Sequence, residues 1–334
     1  MIDRYGRTID YLRISITDRC NLRCLYCMPA EGVDWKPHGE ILSFEEILRL
    51  CTVMAGIGIR KVKITGGEPL VRKDVGNFIR SLRAVPGIEQ VTLTSNGLLL
   101  ESFLAENPAL SLGGINVSLD TLDPELYSRI TRYPGDTLFR DQGIPSILRA
   151  LDLAEERGIP VKLNCVPLRG LNEAELPAIA ALAKKAGRAV RFIELMPLGS
   201  ANELEPIPGN EVAALLERAY GKLISYHGRL GNGPAEYFSL PGFAGKIGFI
   251  NALSEGFCEC CNRLRLSSGG MLIPCLSSES GTDLRRLLRS GVSEDELQAA
   301  VMETLDRKPG SHNFSERYQI ERTKHVSGMY CIGG

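Results

Sequence analysis

Ten cysteines occur in 334 residues, and seven of them fall into two groups. Cys20, Cys24 and Cys27 form the first, and Cys258, Cys260, Cys261 and Cys275 form the second. Cys51, Cys165 and Cys331 stand alone. Three thiolates can hold three irons of a [4Fe–4S] cube and leave the fourth iron open to a ligand. Zinc is the rival, but a structural zinc site takes four ligands. After the first trio no His occurs before His38. For the second group a zinc ribbon competes, and spacing alone does not exclude Cys260 as a ligand. A disulfide framework fits less well. The opening MIDRYGRTIDYLRISITDRC has no apolar core and no small-residue cleavage site, so no secretory signal is read. Clustered thiols in a reducing, cytoplasmic setting are metal ligands more often than staples.

These groups need a frame to position them. Short strands are expected at 12–17, 62–65, 91–95, 115–120, 161–166 and 190–196, with helices between them. Ser43 and Glu46 form a capping box, and Asp123-Pro124 gives an N-cap followed by Pro at the first helical position. The Ala- and Leu-rich stretch 172–187 reads as a helix ending at Gly187. Six strand–helix units imply a parallel sheet, and hence an α/β fold built as an incomplete (βα)6 barrel. The first trio then lies in the loop after the first strand.

Buried parallel strands normally read as continuous apolar runs, yet these alternate. Arg13, Ser15 and Thr17 share one face, as do Lys61, Lys63 and Thr65, Thr92 and Thr94, Asn116, Ser118 and Asp120, and Lys162 and Asn164. Ile14, Ile16, Val62, Ile64, Val117, Leu119, Val161 and Leu163 lie on the other. The apolar face should pack on helices, which leaves the polar face to line a lumen. A closed eight-stranded barrel is filled with apolar side chains. A wider, partial one lined with Lys, Arg, Thr and Asn is a site for an anionic ligand such as a nucleotide. The alternative, a polar face turned to solvent, requires the helices to leave the outside of the sheet bare.

After Met196 the pattern changes. A linker, a helix at 210–220 and an irregular β-containing part follow, with turns at 231–234 and 241–242. Ser293 and Glu296 cap a last helix. Two domains are expected, 1–225 and 226–334. Net charge is -1 and 44% of residues are hydrophobic, which gives no basis for nucleic-acid or anionic-membrane binding. No run of about 18 apolar residues suggests a membrane span. Cys51 and Cys165 read as buried small hydrophobes and Cys331 as a spectator. His38 and His227 read as surface residues, and nothing decides the setting of Trp35.

The sequence CysAsnLeuArgCysLeuTyrCys after the first strand resembles the signature of the radical S-adenosylmethionine superfamily, with Tyr26 before the third Cys. Gly66-Gly67-Glu68-Pro69 after the second strand is similar to that superfamily's second motif. The segment around Cys258-x2-Cys261-x13-Cys275, with AsnArgLeuArgLeu after Cys261, narrows the resemblance to the GTP 3′,8-cyclases of molybdenum cofactor biosynthesis. So do residues 11–20, 191–196, 231–234 and 312–314 and the terminal Gly-Gly, so that the resemblance spans nearly the whole chain. A peptide-modifying radical enzyme with an auxiliary cluster is the alternative, but such proteins usually carry a longer Cys-rich C-terminal region.

The resemblance implies roles by position. Cys20, Cys24 and Cys27 would hold one [4Fe–4S] cluster, and Cys258, Cys261 and Cys275 a second. Tyr26, Gly66, Gly67, Glu68, Ser118 and Met196 would meet S-adenosylmethionine. Arg13, Lys61, Lys63, Thr94, Lys162, Arg191 and the Arg263-Leu264-Arg265 segment would contact GTP. Lys63 stands where the family usually has Arg, which keeps the charge and loses bidentate geometry. Arg13, Arg263 and Arg265 would also tune a late radical step, and Gly333 and Gly334 would thread into the barrel beside the first cluster. The implied reaction is abstraction of the ribose H3′ by a 5′-deoxyadenosyl radical, then C3′–C8 bond formation to 3′,8-cyclo-7,8-dihydro-GTP. A flavodoxin- or ferredoxin-like electron donor, transfer of product to the next pathway enzyme, and a homodimer are implied as well. Residues 133–142 depart from the family's shorter loop and read as a surface insertion.

Overall fold

The computed structural model describes residues 1–133, 137–185, 187–198, 201, 204–228, 230–254, 256–278, 280–312 and 314. Cys331, Gly333 and Gly334 lie outside the described residues, as does part of the 133–142 segment. Six strands follow one another in space as in sequence: β1 (Tyr11–Ser15), β2 (Lys61–Thr65), β3 (Gln90–Ser95), β4 (Ile115–Ser118), β5 (Val161–Cys165) and β6 (Arg188–Ile193). All neighbours among them are parallel. Three further strands extend the β6 edge: β7 (Ile224–Tyr226), β8 (Glu236–Ser239) and β9 (Lys246–Ile250). At the β1 edge the sheet continues through β10 (Arg263–Leu266), β11 (Met271–Ile273) and β12 (Thr282–Asp283).

β9 pairs parallel with β6, and β10 parallel with β1. The parallel row therefore has eight strands rather than six, and the sheet runs across the 225/226 boundary expected from sequence. It ends in two edges, β12 and β7, and so remains open.

Helices cover the outside. α1 (Phe44–Gly56) starts at the Ser43–Glu46 capping box, and α2 (Val75–Arg83) and α3 (Leu100–Glu106) follow. Asp123 caps α4 (Pro124–Thr131) by accepting from the Leu126 amide. α5 (Thr137–Glu156) begins inside the segment expected to be a surface loop. The apolar strand residues Ile14, Ile16, Val62, Ile64, Val117, Leu119, Val161 and Leu163 are buried beneath these helices. Each such aliphatic side chain contributes about 1.5–3 kcal/mol when fully buried.

The helix expected over 172–187 is shorter. Asn172 turns its side-chain amide to the carbonyls of Asp120 and Val166, both at 2.9 Å, and is followed by a 3-10 turn, Glu173–Glu175. α6 spans only Leu176–Ala181. Past it the carbonyls of Ala183 and Lys184 accept from Gly245 and Ala244 on the approach to β9, which ends the helix. A Cβ at Gly245 would overlap the Arg188 carbonyl, so only glycine permits this approach. α7 (Gly209–Tyr220) agrees with the sequence reading within a residue. α8 (Leu284–Arg289) precedes α9 (Glu294–Asp306), which opens at the Ser293–Glu296 capping box.

Candidate active site

A large cavity runs through the open barrel. Arg13, Lys63, Thr65, Thr92, Thr94, Asn116, Ser118, Asp120, Lys162, Asn164 and Arg191 line it, so the polar strand faces do turn inward. Strand register explains how they meet. Arg265, Arg13, Lys63 and Thr92 occupy one row across β10, β1, β2 and β3. Thr94, Asn116 and Lys162 form a second row, and Ser118, Asn164 and Arg191 a third. Neighbours in a row are about 4.8 Å apart at the backbone.

Three residues of the inward-facing pattern do not reach the cavity. Ser15 and Thr17 are buried off it, and Ser15 donates to the Thr17 carbonyl at 3.1 Å. Lys61, expected among the substrate contacts, pairs its ammonium with Asp10 at 2.7 Å and stands off the cavity lining. Lys61 opens its strand, next to the chain segment that carries Asp10. The Leu264 side chain is fully buried in the core between the lining Arg263 and Arg265.

Cations crowd the walls of the cavity. Burial pushes the Lys63 ammonium well below its usual pKa, and Arg13, Arg191, Lys162 and Arg263 push it further. Lys162 is brought down to about 8 by burial and then by Arg191. Arg191 itself is fixed by Asn164, which accepts from its Nε at 2.9 Å. Several buried cations that repel one another are held in readiness for a polyanion.

At one end of the cavity lie Cys20, Cys24 and Cys27. Their loop is pinned by backbone bonds from Arg23 and Leu25 to the carbonyls of Thr131 and Ile130, each 2.9 Å. Gly66 and Gly67 lie against it. The Gly67 amide donates to Thr17 O and that of Glu68 to Arg19 O, both at 2.8 Å. A Cβ on Gly66 would stand 2.7 Å from the Thr17 carbonyl, and one on Gly67 would overlap that of Arg19. The glycines are thus required by close backbone approach. Glu68, expected among the cofactor contacts, has its side chain buried off the cavity. It accepts from the amides of Asn96 (2.7 Å) and Leu70 (3.0 Å) and from Ser95 Oγ (3.0 Å). Burial raises this carboxyl to about 7 despite those bonds. Tyr26, Ser118 and Met196 line the cavity.

Cys258, Cys261 and Cys275 also line the cavity, whereas Cys260 is exposed and its thiol faces the Phe257 carbonyl. Cys261 precedes β10, which runs parallel to β1, while Cys20 follows β1. The two trios therefore sit toward opposite ends of the strands, separated by at least the length of β1, roughly 15 Å. The basic rows lie between them.

Among the described residues no three His, Cys, Asp or Glu side chains are arranged to hold one metal ion. A trio of thiols suits a cube, in which each thiolate takes a different iron, whereas a structural zinc takes four ligands. Within the first trio, burial raises the Cys24 thiol and the neighbouring Cys27, Asp120 and Cys20 add to it. Burial would also raise Cys261, but Arg263 and Lys308 bring it down to about 7, toward the thiolate that binds metal. Both trios fit the clusters that the sequence implies.

Sequence reasoning missed Asp120 as an organiser. It accepts from Tyr26 Oη at 2.7 Å and from the Val166 amide at 2.8 Å. Burial raises it to about 6. Its place two residues after Ser118 on the inward face was the available signal. Cys51 and Cys165 are buried, His38 and His227 exposed, and Trp35 lies under the Arg23 guanidinium.

An open parallel barrel with a thiol trio after β1 and a Gly-Gly turn after β2 defines a radical S-adenosylmethionine protein. Residues 14–183 match the Radical SAM superfamily model, and residues 188–314 match Molybdenum Cofactor Synthesis C. The fold is similar to that of Streptococcus suis SuiB bound to S-adenosylmethionine, at TM-score 0.58 and 14% identity over 97% of this chain and 77% of that one. The GTP 3′,8-cyclase of Desulforamulus reducens is 44% identical over 100% of both chains, and that of Moorella thermoacetica 43% over 100% of both. The chain belongs to the GTP 3′,8-cyclase family.

Proposed function

We propose that this protein converts GTP to 3′,8-cyclo-7,8-dihydro-GTP, the first step of molybdenum cofactor biosynthesis. One observation carries the reading: a single cavity has a thiol trio toward each end and buried, mutually repelling cations between them. S-adenosylmethionine bound at the first cluster supplies the radical chemistry. The chain's own residues bind and orient. Lys63, Lys162 and Arg191 take the triphosphate, with Thr94 beside them. Arg13, Arg263 and Arg265 place positive charge next to the nucleotide as its ring closes. Tyr26, Ser118, Met196 and the Gly66–Gly67 backbone seat S-adenosylmethionine. Cys258, Cys261 and Cys275 hold the second cluster against the guanine, without Cys260.

The Gly333–Gly334 tail completes the site in this proposal. A low-potential flavodoxin- or ferredoxin-like donor, a homodimer, a cytoplasmic setting and hand-over to the next enzyme belong to it too. No helix among the described residues is long and apolar enough to cross a membrane. The test is anaerobic incubation with GTP, S-adenosylmethionine and dithionite, followed by mass spectrometry. A cyclised nucleotide isobaric with GTP supports the reading, and its absence from protein carrying both clusters overturns it.

A further inference from the structure

Lys308 lies just past α9 and is 1% exposed. Its ammonium donates to the Arg263 carbonyl at 2.9 Å and to the Pro274 carbonyl at 2.7 Å. Arg263 is two residues past Cys261, and Pro274 immediately precedes Cys275. One buried ammonium thus clasps the two segments that carry two thiols of the second trio. Arg7 clasps the third. It donates to the Cys258 carbonyl at 2.8 Å and to those of Pro309 and Gly310 at 2.7 and 3.1 Å.

The two cations differ in their compensation. Arg7 has a carboxylate of its own, Asp3, 2.6 Å from its Nε. Among the described residues Lys308 pairs with no carboxylate. Carbonyls offer it dipoles but no net charge, and a buried cation without a counter-charge is strongly destabilising. Cys261 and Cys275, each within two residues of a carbonyl that this ammonium binds, are the acidic groups nearest to it along the chain.

We infer that Lys308 is the counter-charge of the second iron–sulfur cluster, a positioning residue that offsets the negative charge of its thiolates and raises its reduction potential. The inference rests on the reading of Cys258, Cys261 and Cys275 as cluster ligands. Net charge and hydrogen bonding around the sulfurs are the levers that set such potentials. The same ammonium also fixes the spacing of two ligand segments, so charge and clamp must be separated by experiment.

Lys308→Gln keeps two N–H donors for the carbonyls and loses the charge, while Lys308→Arg keeps the charge. Both are made in full-length protein carrying Cys20, Cys24 and Cys27→Ala, so that only the second cluster is present. After anaerobic reconstitution, iron is counted and the cluster is titrated potentiometrically with detection by electron paramagnetic resonance. Lys308→Gln is expected to lower the midpoint so that the reduced-to-oxidised ratio at a fixed potential falls about tenfold, about 59 mV for one electron. Lys308→Arg stays close to the Lys308 parent. Loss of iron in Lys308→Gln with retention in Lys308→Arg also supports the inference. An unchanged midpoint in fully loaded Lys308→Gln overturns it, as does equal iron loss in both variants, which marks a clamp and nothing more. A Lys308 parent that binds no cluster fails differently: it refutes the ligand assignment itself.

Discussion

Lys162 gives the cationic cavity a proton signature that can be measured. Its ammonium titrates at about 8, brought down from 10.5 by burial and by Arg191. A triphosphate set among these cations supplies the missing opposite charge and returns the pKa toward its ordinary value. At pH 8.5 about a quarter of the free protein carries the Lys162 proton, and nearly all of the complex does. Binding therefore takes up about 0.7 proton from this residue. Lys63, held low by burial and by the same neighbours, adds to the uptake. The sign follows: affinity for GTP falls as pH rises through 8 toward 10.5, by up to about tenfold per unit from Lys162 alone. In the ligand-free protein the same shift makes stability rise over that window, because the unfolded chain holds the proton more tightly. The assay is isothermal titration calorimetry of GTP at pH 8.5 in buffers of different ionisation enthalpy. Lys162→Arg, which stays protonated, serves as the reference and cancels any proton exchanged by the nucleotide. A wild-type uptake no greater than that of Lys162→Arg would refute this reading of the cavity.

Other substitutions probe the walls of the site. Gly67→Ala forces a Cβ into the Arg19 carbonyl beside Cys20, so iron at the first site and the thermal midpoint should both fall, checked by iron assay and calorimetry. Asp120→Asn cannot accept from both Tyr26 Oη and the Val166 amide, because one of its two terminal atoms becomes a donor. The loss is expected at about 1–3 kcal/mol and should appear as weaker S-adenosylmethionine binding in equilibrium dialysis. Gly231 has φ +79°, and a Cβ there would overlap the Lys162 ammonium. Gly231→Ala should therefore weaken GTP binding while leaving the iron content unchanged.

The barrel was legible because its strands alternate. Ile14, Val62 and Leu163 point to the helices while Arg13, Lys63 and Lys162 point inward, and period-2 patterning reports that directly. Alternation gives a face but not a neighbour, so it does not show the Lys61–Asp10 pair, which forms only once the chain folds. β9 and β10 were expected only as parts of an irregular β-containing region, because neither is set in a strand–helix unit that marks a parallel strand. Their identity depends on pairing with β6 and with β1, the latter some 250 residues away in sequence. The over-long helix at 172–187 has a similar cause. Its composition favours helix, but its last carbonyls are taken by Gly245 and Ala244 from a distant segment. The two groups of clustered thiols were legible from spacing. The separation of Cys260 from its neighbours, and the roles of Asp120 and Lys308, depend on burial that no local pattern encodes.

The central claim is that one cavity serves two clusters with separate tasks. It is tested most directly by simultaneous quantification of 5′-deoxyadenosine and cyclised nucleotide in the Cys258, Cys261 and Cys275→Ala variants, with Cys260→Ala beside them. Each of the first three is expected still to form 5′-deoxyadenosine with dithionite while cyclised product disappears, and Cys260→Ala to yield both near the wild-type level. Cyclised product persisting in the Cys258, Cys261 or Cys275 variants, or vanishing equally in the Cys260 variant, would contradict it.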